Sequence, residues 1–108
     1  MEFGSLGKVS VATPGTAVPL SPVPLFVRGF RAEAVVAATG RVYLGVAGLN
    51  RTTKAGFIKQ FAAPAAGVNS TSDAIRQDGY SGNHIDLSKF MVDADVAGEG
   101  LLVSYWRV

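Results

Sequence analysis

Apolar and polar residues alternate in short runs along this chain. In KVSVA, residues 8–12, Val9 and Val11 share one face, and the turn signal Thr-Pro-Gly follows. Between residues 27 and 38, a longer run has one apolar face formed by Phe30, Ala32, Ala34 and Val36. Period-two alternation is typical of a half-buried strand. The chain is therefore predicted to be all-β.

Turn signals between the later runs predict two hairpins. Thr39-Gly40 precedes RVYLGVAG, and AGEG at residues 97–100 precedes LLVSYWRV. In the last of these runs, Leu102 and Trp106 are expected to face inward. The predicted fold is a small antiparallel β-sandwich or barrel of about six to eight short strands.

The stretch between residues 46 and 84 lacks sustained periodicity and is interpreted as a long insertion. It is expected to hold one or two short strands or a helical turn. The segment TSDAIRQ could begin a short helix with Thr71 or Ser72 as its cap. Loops of this length are usually functional. Three aromatic residues of the insertion could either contact a partner or fill the core: Phe57, Phe61 and Tyr80.

A proline-rich segment occurs within residues 1–26. Pro19, Pro22 and Pro24 fall within six residues and hold the chain extended. Because proline cannot donate to a ladder, this segment is expected to be an edge strand or an extended connector. Two interpretations stay open: an arm that lies along another subunit, or a rigid surface loop.

Length and composition narrow the class of protein. A chain of 108 residues is the size of a single domain, here taken to span residues 1–108. The absence of cysteine excludes a disulfide framework, a thiolate nucleophile and a cysteine zinc site. No apolar run approaches the roughly 20 residues of a membrane span. The first residues lack a secretory leader, so the chain is expected to begin here and to stay inside the cell that makes it.

Charge is distributed unevenly along the chain. The net charge of +2 is too small to indicate nucleic-acid binding. Residues 1–60 carry 7 − 2 = +5, whereas residues 61–108 carry 3 − 6 = −3. This asymmetry could bring opposite charges together between copies of the chain, although two halves mixed in one sheet would blur it.

Three carboxylates are grouped near the end of the sequence: Asp93, Asp95 and Glu99. Asp93 and Asp95 could share a strand face and bind a cation such as Ca²⁺, or act as an acid/base pair. The alternation already explains their spacing, so the interpretation adopted is that they face water or a partner. The single histidine, His84, is expected to have a surface or capping role. No catalytic residue, metal ligand or cofactor site is predicted.

Both ends of the chain carry a family resemblance. It rests on GKVSVATPGTAVPLS at residues 7–21, GRVYLG at 40–45 and LSKFMVDADVAGEGLLVSYW at 87–106. These segments resemble a group of small structural proteins of tailed bacteriophages. The resemblance implies a virion component made in the bacterial cytoplasm, and a capsid decoration or cement protein in particular. Its implied partner is the major capsid protein, bound at the outside of the shell by an oligomer, with a trimer favoured.

Two alternatives remain beside this interpretation. Within the virion, the chain could be a head–tail junction or tail protein. From another class, it could be a carbohydrate- or Ca²⁺-binding β-sandwich that uses Asp93 and Asp95 with Tyr105 or Trp106. No nucleic-acid or membrane partner is expected. The candidate partner-binding residues are Pro19, Pro22, Pro24, Arg28, Arg51, Lys54, Phe57 and Tyr80.

Overall fold

Strands account for most of the regular structure in the computed structural model, which describes residues 2–34, 40–61 and 82–107 and the backbone of residues 72–76. Ten strands lie in these ranges: β1 Glu2–Ser10, β2 Val18–Pro19, β3 Phe26–Val27, β4 Gly29–Ala34, β5 Val42–Val46, β6 Phe57–Phe61, β7 Ser72–Arg76, β8 Ile85–Asp86, β9 Phe90–Ala94 and β10 Gly100–Arg107. A 3₁₀ turn at Leu87–Lys89 precedes β9. Among the described residues, no helix is long and apolar enough to cross a bilayer.

The strands form two four-stranded antiparallel sheets. The first sheet has the order β1-β10-β4-β7, and the second has the order β2-β9-β5-β6. A small ribbon of β3 and β8 completes the described pairing. The two large sheets share one apolar core, so the predicted all-β sandwich is confirmed. Ten strands are described where about six to eight were expected, and three of the ten, β2, β3 and β8, have only two residues each.

The core is built from alternate residues of the facing strands. Phe30, Ala32 and Ala34 of β4 are buried, as their alternation predicts, whereas Val36 lies outside the described residues. Phe61 is also fully buried, so this aromatic residue of the predicted insertion fills the core. Burial of a side chain of this size stabilises the fold by about 1.5–3 kcal/mol. The other buried members of the cluster are Val11, Leu20, Val27, Val42, Leu44, Leu87, Val92, Ala94, Leu101 and Val103.

Both predicted hairpins are wrong, because the two strands of each predicted pair belong to different sheets. β4 pairs with β10 and β7 and not with β5, the next described strand. β9 pairs with β2 and β5 and not with β10, which follows it. The turn after β9 shows how the crossing is made. Asp95 N–H donates to Arg41 O beside the second sheet at 3.0 Å, and Glu99 O accepts from Val11 N–H beyond β1 at 2.9 Å.

The direction of the side chains of β10 also differs from the prediction. Leu102 is 42% exposed, whereas Leu101 and Val103 are buried. Trp106 lies four residues after Leu102 and therefore on the same face of the strand, and its side chain is only partly buried. A shift of one residue in register turns every side chain of a strand to the other face. Because Leu101 and Leu102 are adjacent, either register would place a leucine in the core. Pairing with both β1 and β4 places Leu101 in the core.

The described part of the stretch between residues 46 and 84 contains two main strands, within the one or two that were expected there. It contains β6 and β7, and each strand lies at the edge of a different sheet. Ser72–Arg76 is a strand paired with β4, so the predicted helix start at this position is wrong. Pairing with β4 supplies backbone hydrogen bonds that a short isolated helix would have to provide alone.

Candidate functional site

The outer face of the second sheet is covered by the protein's own loops. Asp93 and Tyr43 are neighbours across β9 and β5, on the side opposite the core residues Val92 and Leu44. Even so, Asp93 is only 1% exposed and Tyr43 only 4%. The prediction that the acids of this strand face water or a partner is therefore wrong for Asp93.

Asp93 fastens the turn after β1 to the second sheet. Its Oδ1 accepts hydrogen bonds from Gly15 N–H at 3.0 Å and from Ala94 N–H at 2.8 Å. Gly15 has a φ of +92°, a conformation that favours glycine. The other oxygen, Oδ2, is buried and has no hydrogen-bond partner among the described residues. Asp93 is thus a structural carboxylate with one unsatisfied acceptor.

Asp95 fastens a second loop to the same face. Its Oδ1 accepts from the Tyr43 hydroxyl at 3.0 Å and from Arg51 Nη1 at 2.8 Å. Burial by itself raises the pKa of the Asp95 carboxyl, but the hydrogen bonds from Arg51 and Tyr43 outweigh burial and hold that pKa below its usual value. Burial, together with the Asp95 carboxylate, raises the pKa of the Tyr43 phenol. The ionised carboxylate is therefore favoured beside a neutral phenol.

The β5–β6 loop, residues 47–56, carries two of the residues predicted to bind a partner, Arg51 and Lys54, and a third, Phe57, begins β6. Arg51 forms the ion pair with Asp95, and about a third of each of the two side chains is exposed. The Lys54 ammonium lies 5.1 Å from the centre of the Tyr43 ring and 5.2 Å from that of Phe57. These distances suit cation–π attraction. The charges of Arg51 and Lys54 hold the loop on its own sheet, yet both side chains remain accessible at the surface.

Lys54 adopts an unusual backbone conformation for a residue with a side chain. Its φ is +66°, and among the described residues it is the one non-glycine with a positive φ. Its N–H donates to Asn50 O at 2.9 Å, and Asn50 Oδ1 accepts from Thr52 N–H and Thr53 N–H. The left-handed conformation costs about 1–2 kcal/mol. Cation–π contacts and the hydrogen-bonded turn offset this cost.

Glu99, the third carboxylate, binds yet another segment. Its Oε1 accepts from Gly40 N–H at 2.9 Å, at the entrance to β5. The three acids thus contact different parts of the chain and do not converge. His84 lies at the surface, as expected. The described residues include no group of three or more His, Cys, Asp or Glu side chains placed to hold a metal ion.

The proline segment, residues 19–26, is a bent surface segment fixed at both ends, in which Leu20 and Ser21 are buried. Pro19 lies in β2 at the edge of the second sheet, as predicted, and Pro22 and Pro24 are also exposed. Val23, between Pro22 and Pro24, is 61% exposed, and Phe26, two residues after Pro24, is 49% exposed. Large apolar side chains therefore project from a segment of defined conformation.

Hydrogen bonds fix the position of this segment. Leu20 N–H donates to Phe90 O at 2.9 Å, and Leu87 N–H donates to Leu25 O at 2.9 Å. Asp86 Oδ1 accepts from Leu25 N–H at 3.3 Å and from the Ser88 hydroxyl at 2.8 Å. The Ser88 hydrogen bond is the main reason that the pKa of Asp86 lies below its usual value. The segment is ordered before any partner binds.

The remaining candidate binding residues do not form a site with the others in the described part of the chain. Arg28 is partly buried between β3 and β4, where its Nη1 donates to Gly82 O at 3.4 Å. Tyr80 lies outside the described residues. Asp93 and Asp95 belong to the second sheet and its adjoining turn, whereas Tyr105 and Trp106 belong to the first. The structure thus separates the acids from the aromatic residues of the proposed carbohydrate or Ca²⁺ site.

Comparison with known proteins identifies no relative. No protein-family model matches the chain, and no curated protein or solved structure shows significant similarity to it.

Proposed function

We propose that this chain is a structural protein of a tailed-bacteriophage virion, and that it decorates the outside of the capsid shell. Its partner in this proposal is the major capsid protein, and its working form is an oligomer, with a trimer favoured. The resemblance of the two ends supports this class. The observation that carries the proposal is the exposed and already ordered proline segment, with Val23 61% and Phe26 49% exposed.

The physical advantage of such a segment is low ordering cost. Proline fixes φ, so Pro19, Pro22 and Pro24 restrict the unbound segment. Hydrogen bonds to Phe90 O and from Leu87 N–H hold it near both ends. Binding then loses little conformational freedom, and the buried apolar area contributes more fully to affinity. A symmetric shell repeats each weak contact many times, and an oligomer that engages several sites gains further avidity.

A binding experiment with purified shells tests the role of the segment. Shells that lack the protein are incubated with the wild type or with Val23→Asp, and bound protein is measured by co-sedimentation. Val23→Asp is expected to lose about tenfold or more in affinity, because it places a charge in an apolar contact. Ile58→Asp is the matched control, since Ile58 is 45% exposed on β6, at the opposite edge of the same sheet.

Equal loss in the two variants, or no binding by the wild type, would contradict the proposal. Saturating wild-type protein is also expected to raise the melting temperature of the shells. An unchanged melting temperature would argue against a cement role.

The alternative role at the head–tail junction differs in stoichiometry. A decoration protein is expected in hundreds of copies per particle, whereas a closed junction ring requires about a dozen or fewer. Quantitative mass spectrometry of particles therefore distinguishes the two. A copy number of about a dozen would favour the junction and contradict decoration.

A further inference from the structure

The outer face of the first sheet carries exposed apolar side chains. Leu102 of β10 is 42% exposed and Phe3 of β1 is 75% exposed, on the side opposite the core residues Leu101 and Val103. The second sheet differs, because Asp93 on its outer side is only 1% exposed beneath the turn after β1. The first sheet therefore presents apolar surface that a partner would cover.

One row of this face carries opposite charges on the two sides of a leucine. Leu102 is the ladder neighbour of Lys8 on β1 and of Glu33 on β4. Residues directly opposite each other in a ladder point to the same face. Because neighbouring strands are about 4.8 Å apart, Lys8 and Glu33 lie roughly 10 Å from each other, with the leucine between them. The two ion pairs in the described part of the chain involve neither of these side chains.

The order of charges in this row is self-complementary. A two-fold axis parallel to β10 packs the first sheets of two copies face to face, with β10 over β10 and β1 over β4. Lys8 of one copy then faces the second copy's Glu33, and the reverse pair forms on the other side of the axis. The two Leu102 side chains meet on the axis itself. Aligned packing of two sheets allows this arrangement, because their strand directions differ by only about 30°.

The surface beside Leu102 leaves room for a side chain from a second copy. Small residues, Ser5 and Ser104, form the next row. Together with Gly7 and Leu102 they border a shallow concavity of about 230 Å³. Gly7 belongs to the bulge of β1 and contributes no side chain to fill this space. The concavity is large enough to receive a leucine side chain.

We propose that the outer face of the first sheet is a contact between two copies of this chain. The inference rests on the oligomer of the proposed function and supplies a contact for it. A two-fold interface uses the same patch on both chains, and the row of Lys8, Leu102 and Glu33 meets this requirement. An apolar centre with charges around it is also the usual arrangement of a protein interface. The contact is compatible with the favoured trimer only as a link between two trimers.

Sedimentation velocity over a wide range of protein concentrations tests the contact. The full-length wild type is expected to form an assembly with an even number of chains. Leu102→Asp is expected to weaken this association about tenfold or more, because it places two carboxylates on the axis. Lys59→Glu, at an exposed position of β6 in the second sheet, is the control and should associate like the wild type. Amide spectra of the dilute variants establish that each is folded.

Exchange of the two charges tests which residues face each other. Lys8→Glu brings two carboxylates together at each end of the row, and Glu33→Lys brings two ammonium groups together. Each single variant is expected to associate about tenfold more weakly than the wild type. The double variant Lys8→Glu/Glu33→Lys restores opposite charges and should recover the association. An equimolar mixture of the two single variants should form mixed dimers in preference to either variant alone.

Several results would overturn the inference. They are a wild type that remains monomeric or forms only trimers, wild-type association by Leu102→Asp, and failure of both the double variant and the mixture to recover the association. Unchanged self-association of Lys8→Glu together with lost binding to shells would assign this face to the capsid protein instead. Self-association is measured without shells, so a negative result leaves the decoration proposal standing, and absence of shell binding leaves the contact between copies standing.

Discussion

Replacing Asp93 with alanine tests whether this carboxylate fastens the turn after β1. The substitution removes the acceptor for Gly15 N–H and Ala94 N–H. It also removes the buried Oδ2, for which the described residues provide no partner. Loss of the two hydrogen bonds destabilises the fold, whereas removal of the unsatisfied oxygen opposes that loss.

The balance of these effects gives the expected magnitude. A hydrogen bond to a charged group contributes about 1.5–3 kcal/mol, but Gly15 is exposed and its N–H can bind water after the substitution. Removal of the unsatisfied oxygen also removes a desolvation penalty of roughly 1 kcal/mol, which stabilises the variant. Asp93→Ala is therefore expected to lower the free energy of unfolding by about 2 kcal/mol. At about 4 °C per kcal/mol for a domain of this size, the melting temperature falls by about 8 °C.

Asp93→Asn is the matched control. Its amide oxygen can accept both hydrogen bonds, and its NH₂ group takes the place of the unsatisfied oxygen. Loss of the buried charge offsets the weaker hydrogen bonds, so the stability should remain within about 1 kcal/mol of the wild type.

Urea denaturation at neutral pH measures both variants, and amide exchange at Gly15 reports on the turn itself. Faster exchange at Gly15 is expected in Asp93→Ala alone. An alanine variant as stable as the wild type would refute the fastening role. Equal destabilisation by asparagine and alanine would show that the charge, and not the acceptor geometry, provides the stability.

Three further predictions concern the loop-covered face. The pKa of Asp95 is lowered in the folded state, so its contribution to stability is present above an unfolded-state pKa of about 4 and is lost as pH falls through the folded-state pKa. In urea denaturation at acid pH, the free energy of unfolding of Asp95→Asn should therefore depend less on pH than that of the wild type. The pKa of Tyr43 is raised in the folded state, so its contribution to stability is present below about pH 10 and is lost as pH rises through the folded-state pKa. In urea denaturation at alkaline pH, the free energy of unfolding of Tyr43→Phe should therefore depend less on pH than that of the wild type. A Cβ at Gly45 would overlap the carbonyl oxygen of Gly56, so Gly45→Ala should cost about 2 kcal/mol in thermal melts, whereas Val46→Ala beside it should cost less than about 1 kcal/mol.

The sequence was sufficient to predict the all-β class and which face of β4 is buried. The alternation of Phe30, Ala32 and Ala34 is local, and burial on one face requires only that some second layer exists. Pro19 was correctly placed at a sheet edge, because a missing N–H excludes an interior ladder position.

Strand pairing could not be predicted in the same way. A turn signal such as AGEG shows that the chain reverses but does not show whether it returns to the same sheet or crosses to the other. Leu101 and Leu102 have the same side chain, so composition could not decide which one enters the core. The decision depends on the pairing of β10 with β1 and β4, which are distant in sequence.

The candidate site shows a second limit of periodicity. Alternation correctly placed Asp93 on the side of β9 away from the core residue Val92. It could not show that the Gly15 turn lies over that side. An outward position in a strand is therefore not the same as contact with water. Arg51, Lys54 and Phe57 are close together in the sequence, but their contacts with Tyr43 and Asp95 had no local signal.

The pairing of β1 with β10 also affects how the chain folds. Glu2 lies opposite Arg107 in the ladder, so this pairing joins positions separated by almost the whole sequence. Contacts of such long separation slow folding, because a large loop must close before they form. A circular permutant that links these ends and opens the chain in the β5–β6 loop would convert the ladder into a local hairpin. It should reach a similar architecture faster than the natural order of strands.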